Sequence, residues 1–255
     1  MLRNLLAHPL TRGLGVDDPR TTRRRREIIR GKAFLRRLYE EWYGEILRAL
    51  PAGEGPILEL GSGGGFLNRF IPELITSEVR FTSGIDAALD ATRLPFAPAS
   101  LRAIVMTNVL HHISEPRCFF AEAARCTRPG GGVVLIEPWV SSWSTLIYRR
   151  LHEEPYLPQA ESWEISGGGP LSGANGALPW ILFQRDRRRF ERELPEWEIT
   201  RIRPMMPIGY LLSGGVSLRA LAPGWAYTPT RWLERFLEPW IDHCAMFARI
   251  SLRRR

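Results

Sequence analysis

Cysteine is scarce in this 255-residue chain: Cys118, Cys126 and Cys244 form no CxxC pair and no even framework. That excludes a disulfide-stapled scaffold and predicts buried thiols in a reducing compartment, with the cytoplasm as default. Long apolar runs are absent, so no segment reads as a membrane span. The opening MLRNLLAHPLTRGLG has only a short apolar stretch broken by His8 and Pro9, which does not suit a secretory signal. Internal repeats and low-complexity linkers are also missing. No zinc spacing points to a metal site, and no RNA-reading signature accompanies the arginines, so nucleic acid is disfavoured as a partner.

The composition is 44% apolar and 24% charged, ordinary for a globular protein able to bury a sizeable core. The net charge of +8 is uneven, with arginines clustered at 23–26, at 185–189 (broken by Asp186) and at 253–255. Such clusters suit an anionic lipid head or an acidic metabolite. The simpler reading, adopted here, is solvated helix faces and a basic tail.

Asp18-Pro19 reads as a helix cap followed by proline at the first helical position. The stripe Leu35, Leu38, Tyr39, Trp42, Tyr43, Ile46, Leu47 and Leu50 then predicts one amphipathic helix ending at Pro51. Strands are predicted at 57–60, 75–78, 85–89, 103–107 and 133–136, with helical pieces at 66–74 and 114–126, the latter capped by Ser114. Strand–helix alternation with short loops predicts an α/β fold whose mostly parallel sheet is covered on both faces. Residues 138–190 lose that rhythm and are rich in proline, glycine and tryptophan, as expected of a functional lid. Late strands are predicted at 197–203 and 210–218, followed by a final helix capped by Thr230. The whole is read as one domain: N-terminal helices (1–52), ligand-binding core (53–137), acceptor-binding lid (138–190), then the last strands and C-terminal helix (191–255).

The segment ILELGSGGGFL carries the chemistry. Its glycines at 61, 63 and 65 follow a strand and open a turn where a ligand can approach the backbone. A plain structural turn is the competing reading. Phe66 stands where a GxGxxG dinucleotide fingerprint requires its third glycine, and no Gly-Lys-Ser/Thr follows. Both departures disfavour a pyrophosphate or triphosphate ligand.

LELGSGGG, DATRLPF (90–96), AIVMTNVLHHI (103–113) and ARCTRPGGGVVLIEP (124–138) occur in this order. With these four segments, residues 55–138 resemble the class I S-adenosylmethionine-dependent methyltransferases, in particular the type 11 group. The resemblance implies a doubly wound, seven-stranded Rossmann-like sheet with the last strand antiparallel, and S-adenosylmethionine as cofactor. This methyl donor carries a sulfonium, an amino-acid end, a ribose diol and an adenine, but no phosphate. Glu59, Gly61, Ser62, Gly63, Gly65 and Phe66 form the expected donor-binding turn. Glu78, 17 residues past Gly61, suits the ribose hydroxyls, with Asp86 as the alternative. By the resemblance, Asp90 with Ala91 meets the adenine and Asn108 faces the cofactor or methyl group. Only twelve residues separate Glu78 from Asp90, so the second helix of the fold must be shortened or lost.

Methyl transfer from a sulfonium needs alignment and exclusion of water, and a general base only for some acceptors. Candidates at the open sheet edge are His111 and His112, which equally suit a packing or helix-start role, and Glu137, which suits an acceptor contact or support of the lid. His152 lies in the lid. Trp139, Trp143, Tyr148, Tyr156, Trp163 and Trp180, with Arg149 and Arg150, form either an acceptor pocket or a satellite core. A pocket of that kind suits a small-molecule, glycan-precursor or lipid-linked acceptor. The C-terminal helix, ending in RISLRRR, either lies on an anionic membrane or, as preferred, packs on the sheet. The expected activity is methyl transfer; a non-catalytic module or partner subunit of the same fold is the alternative, and a nicotinamide oxidoreductase is disfavoured.

Overall fold

Asp18 caps the first helix, α1 (Pro19–Gly31), by accepting a hydrogen bond from Arg20 N at 2.9 Å. In the computed structural model, which describes residues 6–15, 17–152, 154–169 and 172–255, the predicted single helix is two. The first five residues of the N-terminal stretch read above lie outside the described residues, as do Val16, Glu153, Pro170 and Leu171. The break falls at Lys32, whose backbone is extended (φ −92°, ψ 101°), and α2 (Ala33–Ala49) follows. Lys32 Nζ donates to the carbonyls of Ser213 (3.2 Å), Gly215 (2.8 Å) and Leu218, so a distant loop holds the break open. The α2 stripe is buried as its spacing requires, except Leu47, which is exposed, and Leu50, the half-buried C-cap.

Seven strands form one sheet in the order β3-β2-β1-β4-β5-β7-β6. They are β1 (Ile57–Leu60), β2 (Leu74–Glu78), β3 (Ala87–Ala88), β4 (Leu101–Thr107), β5 (Thr127–Pro138), β6 (Trp197–Met205) and β7 (Phe247–Arg254). Pairing is parallel from β3 to β5, and β7 runs antiparallel to both its neighbours. The ligand-facing ends of β1, β2, β4 and β5 therefore share one edge. Between β2 and β3 the described residues contain no helix, as the short spacing requires. The expected 66–74 helix is one 3₁₀ turn at Leu67–Arg69, and α3 (Pro116–Cys126) begins after Glu115 rather than at a Ser114 cap.

The C-terminal third corrects two expectations. Residues 210–218 are not a strand but α6 (Gly209–Ser213) and a left-handed turn at Gly214. The last strand is instead Phe247–Arg254, which the sequence presents as a helix end and basic tail. Its Arg249 is buried with the core because it reaches buried Glu45 on α2, Nη1 to Oε2 at 3.2 Å.

In residues 138–190, Ser141 and Ser144 form a reciprocal capping box that starts α4 (Ser142–Leu151). The segment returns to helix at Leu178–Trp180, continues as a π-helix over Ile181–Arg185 and, past Asp186, as α5 (Arg187–Glu193). Between them, Trp163 is fully buried; its Nε1 donates to Asp186 Oδ2 at 2.8 Å, and Arg117 and Arg189 stack within 4.6 Å of the ring. These aromatic residues largely build core.

Helix α7 (Tyr227–Phe236) is turned inside out. Its buried face is polar: Glu234 accepts from Ile208 N and Gly209 N at 2.7 Å each, and Arg231 pairs with Glu41 of α2. Trp225, Trp232, Phe236 and Trp240 are all more than half exposed on or beside its other face.

Candidate functional site

The turn after β1 is shaped by backbone that only glycine tolerates. Gly61 and Gly63 have φ of +64° and +52°, and a Cβ on Gly61 would lie 2.4 Å from Val109 Cγ2. Ser62 joins the turn to β2: its N–H donates to Ser77 O at 2.8 Å and its Oγ accepts from Ser77 N at 3.1 Å. This brings Glu78 beside Gly63, where a Cβ would sit 3.3 Å from Glu78 Oε1. From α2, Tyr43 Oη accepts from Phe66 N at 2.9 Å and its ring meets Phe66 edge-on. Phe66 thus faces the core rather than the ligand side. Burial raises the pKa of Glu59 to about 7, with Glu78 adding to the effect. Burial also raises Glu78, against hydrogen bonds from Val79 and Gly63 and the charges of Arg25 and Arg26.

The two ribose candidates are separated by geometry. Asp86 turns back to its neighbour strand, accepting from Thr76 N (2.8 Å) and Oγ1 (2.6 Å), which lowers its pKa. It does not line the cavity described below, whereas Glu78 does. Asp90 sits at the exposed rim, its Oδ1 accepting from Thr92 N and Oγ1, with Ala91 beside it. Asn108 ends β4 in the left-handed region (φ +58°) while its N–H still pairs with Ile136 O.

At the other end of the same edge, Glu137 closes β5 and is fully buried. Its Oε1 accepts from Val109 N (2.7 Å) and Leu110 N (2.8 Å), and its Oε2 lies 2.6 Å from His111 Nδ1. Glu137 therefore holds the 3₁₀ turn at Leu110–His112 and does not itself reach the cavity. The opposite nitrogen, His111 Nε2, lies 3.3 Å from Glu154 Oε2, and His112 Nε2 lies 3.8 Å from Glu154 Oε1. His152 Nδ1 stands 3.8 Å from Glu154 as well. Burial opposes a charge on His111, but Glu137 and Glu154 outweigh it and hold its pKa up at about 9. Burial, then the charge of His111, presses His112 down to about 3. Burial opposes the charge on Glu154, yet the hydrogen bond from His111 and the charge of His152 keep it well below the carboxylate range. Glu154 escaped the sequence reading. Its only signal was the RLHEEP stretch, in which two glutamates are equivalent by pattern.

One cavity of about 420 Å³ joins these groups. Glu59, Gly61, Ser62, Gly63, Gly65, Glu78, Asp90, Ala91, Asn108, His111, His112 and His152 all line it; Phe66, Asp86 and Glu137 do not. Of the six aromatic residues expected in the lid, only Tyr148 lines the cavity, and neither Arg149 nor Arg150 does. The others pack into the core: Trp143 Nε1, for example, donates to Pro207 O at 2.7 Å. The cavity's aromatic wall comes instead from Tyr39, Tyr43 and Tyr210, and its cation from Arg25 of α1.

The strand order, with its antiparallel β7, and the glycine turn at the common edge match the Rossmann-like methyltransferase fold. Residues 77–135 match the family described as "Methyltransferase domain". A 48-residue stretch is 44% identical to demethylmenaquinone methyltransferase of Renibacterium salmoninarum, over 19% of this chain and 20% of that protein. The chain thus spans about a fifth of the length of the curated relative it matches. Among solved structures it is similar to geranyl diphosphate C-methyltransferase from Streptomyces coelicolor A3(2), crystallised with Mg²⁺, geranyl-S-thiolodiphosphate and S-adenosyl-L-homocysteine. That likeness has a TM-score of 0.52 at 15% identity, over 87% of this chain and 78% of the other.

Proposed function

We propose that the protein is an S-adenosylmethionine-dependent methyltransferase acting on a small or lipid-linked acceptor. The observation that carries this is the continuous cavity, which runs from the glycine turn and Glu78 to the histidine cluster. The methyl donor lies along β1 and β2 with its ribose on Glu78 and its adenine at Asp90 and Ala91. Asn108 stands between donor and acceptor. The chain's own contribution is to align the two and keep water out. Calorimetry with S-adenosylhomocysteine tests this: the protein is expected to bind it, and Glu78→Ala to lose about 1.5–3 kcal/mol, roughly tenfold to hundredfold. Folded protein that binds no S-adenosylhomocysteine would leave the non-catalytic module as the better reading.

A lipid-linked acceptor is favoured by the outward apolar face of α7. Trp225, Trp232, Leu233, Phe236 and Trp240 expose at least half their surface. Such a row of aromatic residues suits the headgroup boundary of a bilayer. Among the described residues no helix is long and apolar enough to cross a membrane, so contact would be peripheral. Gly209 N, bonded to Glu234 of α7, begins α6, whose Tyr210 and Leu211 wall the cavity, so the bilayer would lie next to the acceptor end. Flotation with vesicles of phosphatidylcholine and phosphatidylglycerol should carry the wild type. The triple variant Trp232→Ser, Phe236→Ser, Trp240→Ser should stay in solution; equal flotation of both, or of neither, refutes the lipid-facing role.

A further inference from the structure

We propose that His111, His112 and Glu154 form a binding site for one divalent transition-metal ion at the acceptor end of the cavity. The donor atoms of the three residues all lie within 4.8 Å of one another, and two of the separations, 3.3 and 3.8 Å, involve the same carboxylate. Donors bound at about 2.1 Å sit roughly 3.0–3.4 Å apart at octahedral or tetrahedral angles. The shorter separation already matches, and the others require a modest contraction around an ion.

The protonation pattern is imposed by Glu137. Its carboxylate accepts from two backbone N–H groups, so it is an acceptor toward His111 as well, and Nδ1 must carry the hydrogen. The Nε2 lone pair of neutral His111 then faces Glu154 Oε2, an arrangement that demands a cation between them. A proton on Nε2 answers that demand for His111 alone. It leaves His112, whose Nε2 faces the other oxygen of the same carboxylate. The two ring centroids lie only 4.2 Å apart, so one ion can reach both imidazoles. A metal ion serves both imidazoles and the carboxylate together. The carboxylate–histidine contact from Glu137 is the outer support that metal-bound histidines commonly have.

Two imidazoles and one carboxylate select a first-row ion such as Zn²⁺, Fe²⁺ or Co²⁺ over Mg²⁺ or Ca²⁺. All three residues line the cavity, so the remaining coordination positions are open to water or to an acceptor oxygen. That use of the ion rests on the function proposed above; the binding itself does not.

The test uses the full chain, stripped with a chelator, then titrated with Zn²⁺ by calorimetry and with Co²⁺ by visible absorption. The expected result is one equivalent bound, with a tetrahedral or five-coordinate Co²⁺ band. Glu154→Gln and His112→Ala should each weaken Zn²⁺ binding about a hundredfold or more, and Glu137→Gln about 10–100-fold. His243→Ala, which alters an exposed histidine elsewhere, should change nothing. Circular dichroism confirms folding, and either ligand variant suffices if the other fails to fold. S-adenosylhomocysteine binding by the same metal-free samples reports separately on the methyl-donor reading. Wild type that binds no Zn²⁺, or binds it no more tightly than Glu154→Gln, overturns the proposal.

Discussion

Glu137→Ala is expected to lower the unfolding free energy by about 3–5 kcal/mol in urea denaturation, a large share of the stability of an ordinary domain. The side chain is fully buried and makes three short contacts, to Val109 N, Leu110 N and His111 Nδ1. Removing it strands two buried backbone donors and an imidazole N–H, each losing water without gaining a partner. Glu137→Gln separates the structural part from the chemical part. Its amide oxygen still accepts from the two backbone donors, so most of the stability should return. Its NH₂, however, can only donate toward His111, which fixes the hydrogen on Nε2 and removes the lone pair that a bound metal ion would use. The glutamine variant should therefore fold yet lose the function of the cluster. A Glu137→Ala protein within 1 kcal/mol of wild type would show that the turn at Leu110–His112 is held by something else.

Gly64→Ala is expected to cost about 1–3 kcal/mol of stability, and a comparable loss in S-adenosylhomocysteine binding means roughly tenfold to hundredfold weaker affinity. A Cβ at this position would lie 2.7 Å from Arg26 N, 2.9 Å from Arg26 Cα and 3.0 Å from Arg25 C. These are main-chain atoms of α1, so no side chain can swing aside; the helix or the turn must move. Arg26 also ties the two together, donating to Gly63 O at 3.1 Å and Ser83 O at 3.0 Å. Moving α1 displaces Arg25, which lines the cavity. Gly31→Ala, at the end of the same helix with nothing within 4 Å of its added Cβ, is the control and should be neutral or slightly stabilising. Equal urea midpoints for Gly64→Ala and wild type would mean that α1 does not clamp the turn.

These two residues show what was legible and what was not. The glycine turn could be read because a ligand-facing turn after a strand leaves a local mark: consecutive glycines with room for positive φ. Yet the local pattern marks Gly61, Gly63 and Gly65, and nothing local singles out Gly64, whose constraint is imposed by a helix some forty residues earlier in the chain. By its place at a strand end Glu137 suits an acceptor contact or support of the lid. The fold turns it inward, because Val109 and Leu110 present two backbone donors there that its Oε1 satisfies. The aromatic residues of 138–190 were legible as hydrophobic but not as core or pocket, since both environments select the same side chains.

By itself the sequence determined the parallel strands β1, β2, β4 and β5, the glycine turn and the absence of a phosphate-binding pattern. Each is written in short-range periodicity or in a conformation that one residue type permits. Only the tertiary structure decided that ARISLRR is an inner strand, that α7 carries its apolar face outward, and that Glu154 joins His111 and His112. The reason is the same in each case. An Arg–Ser alternation, an exposed aromatic row and a lone glutamate acquire their meaning from partners far away in the chain, here Glu45, Glu41 and the turn held by Glu137.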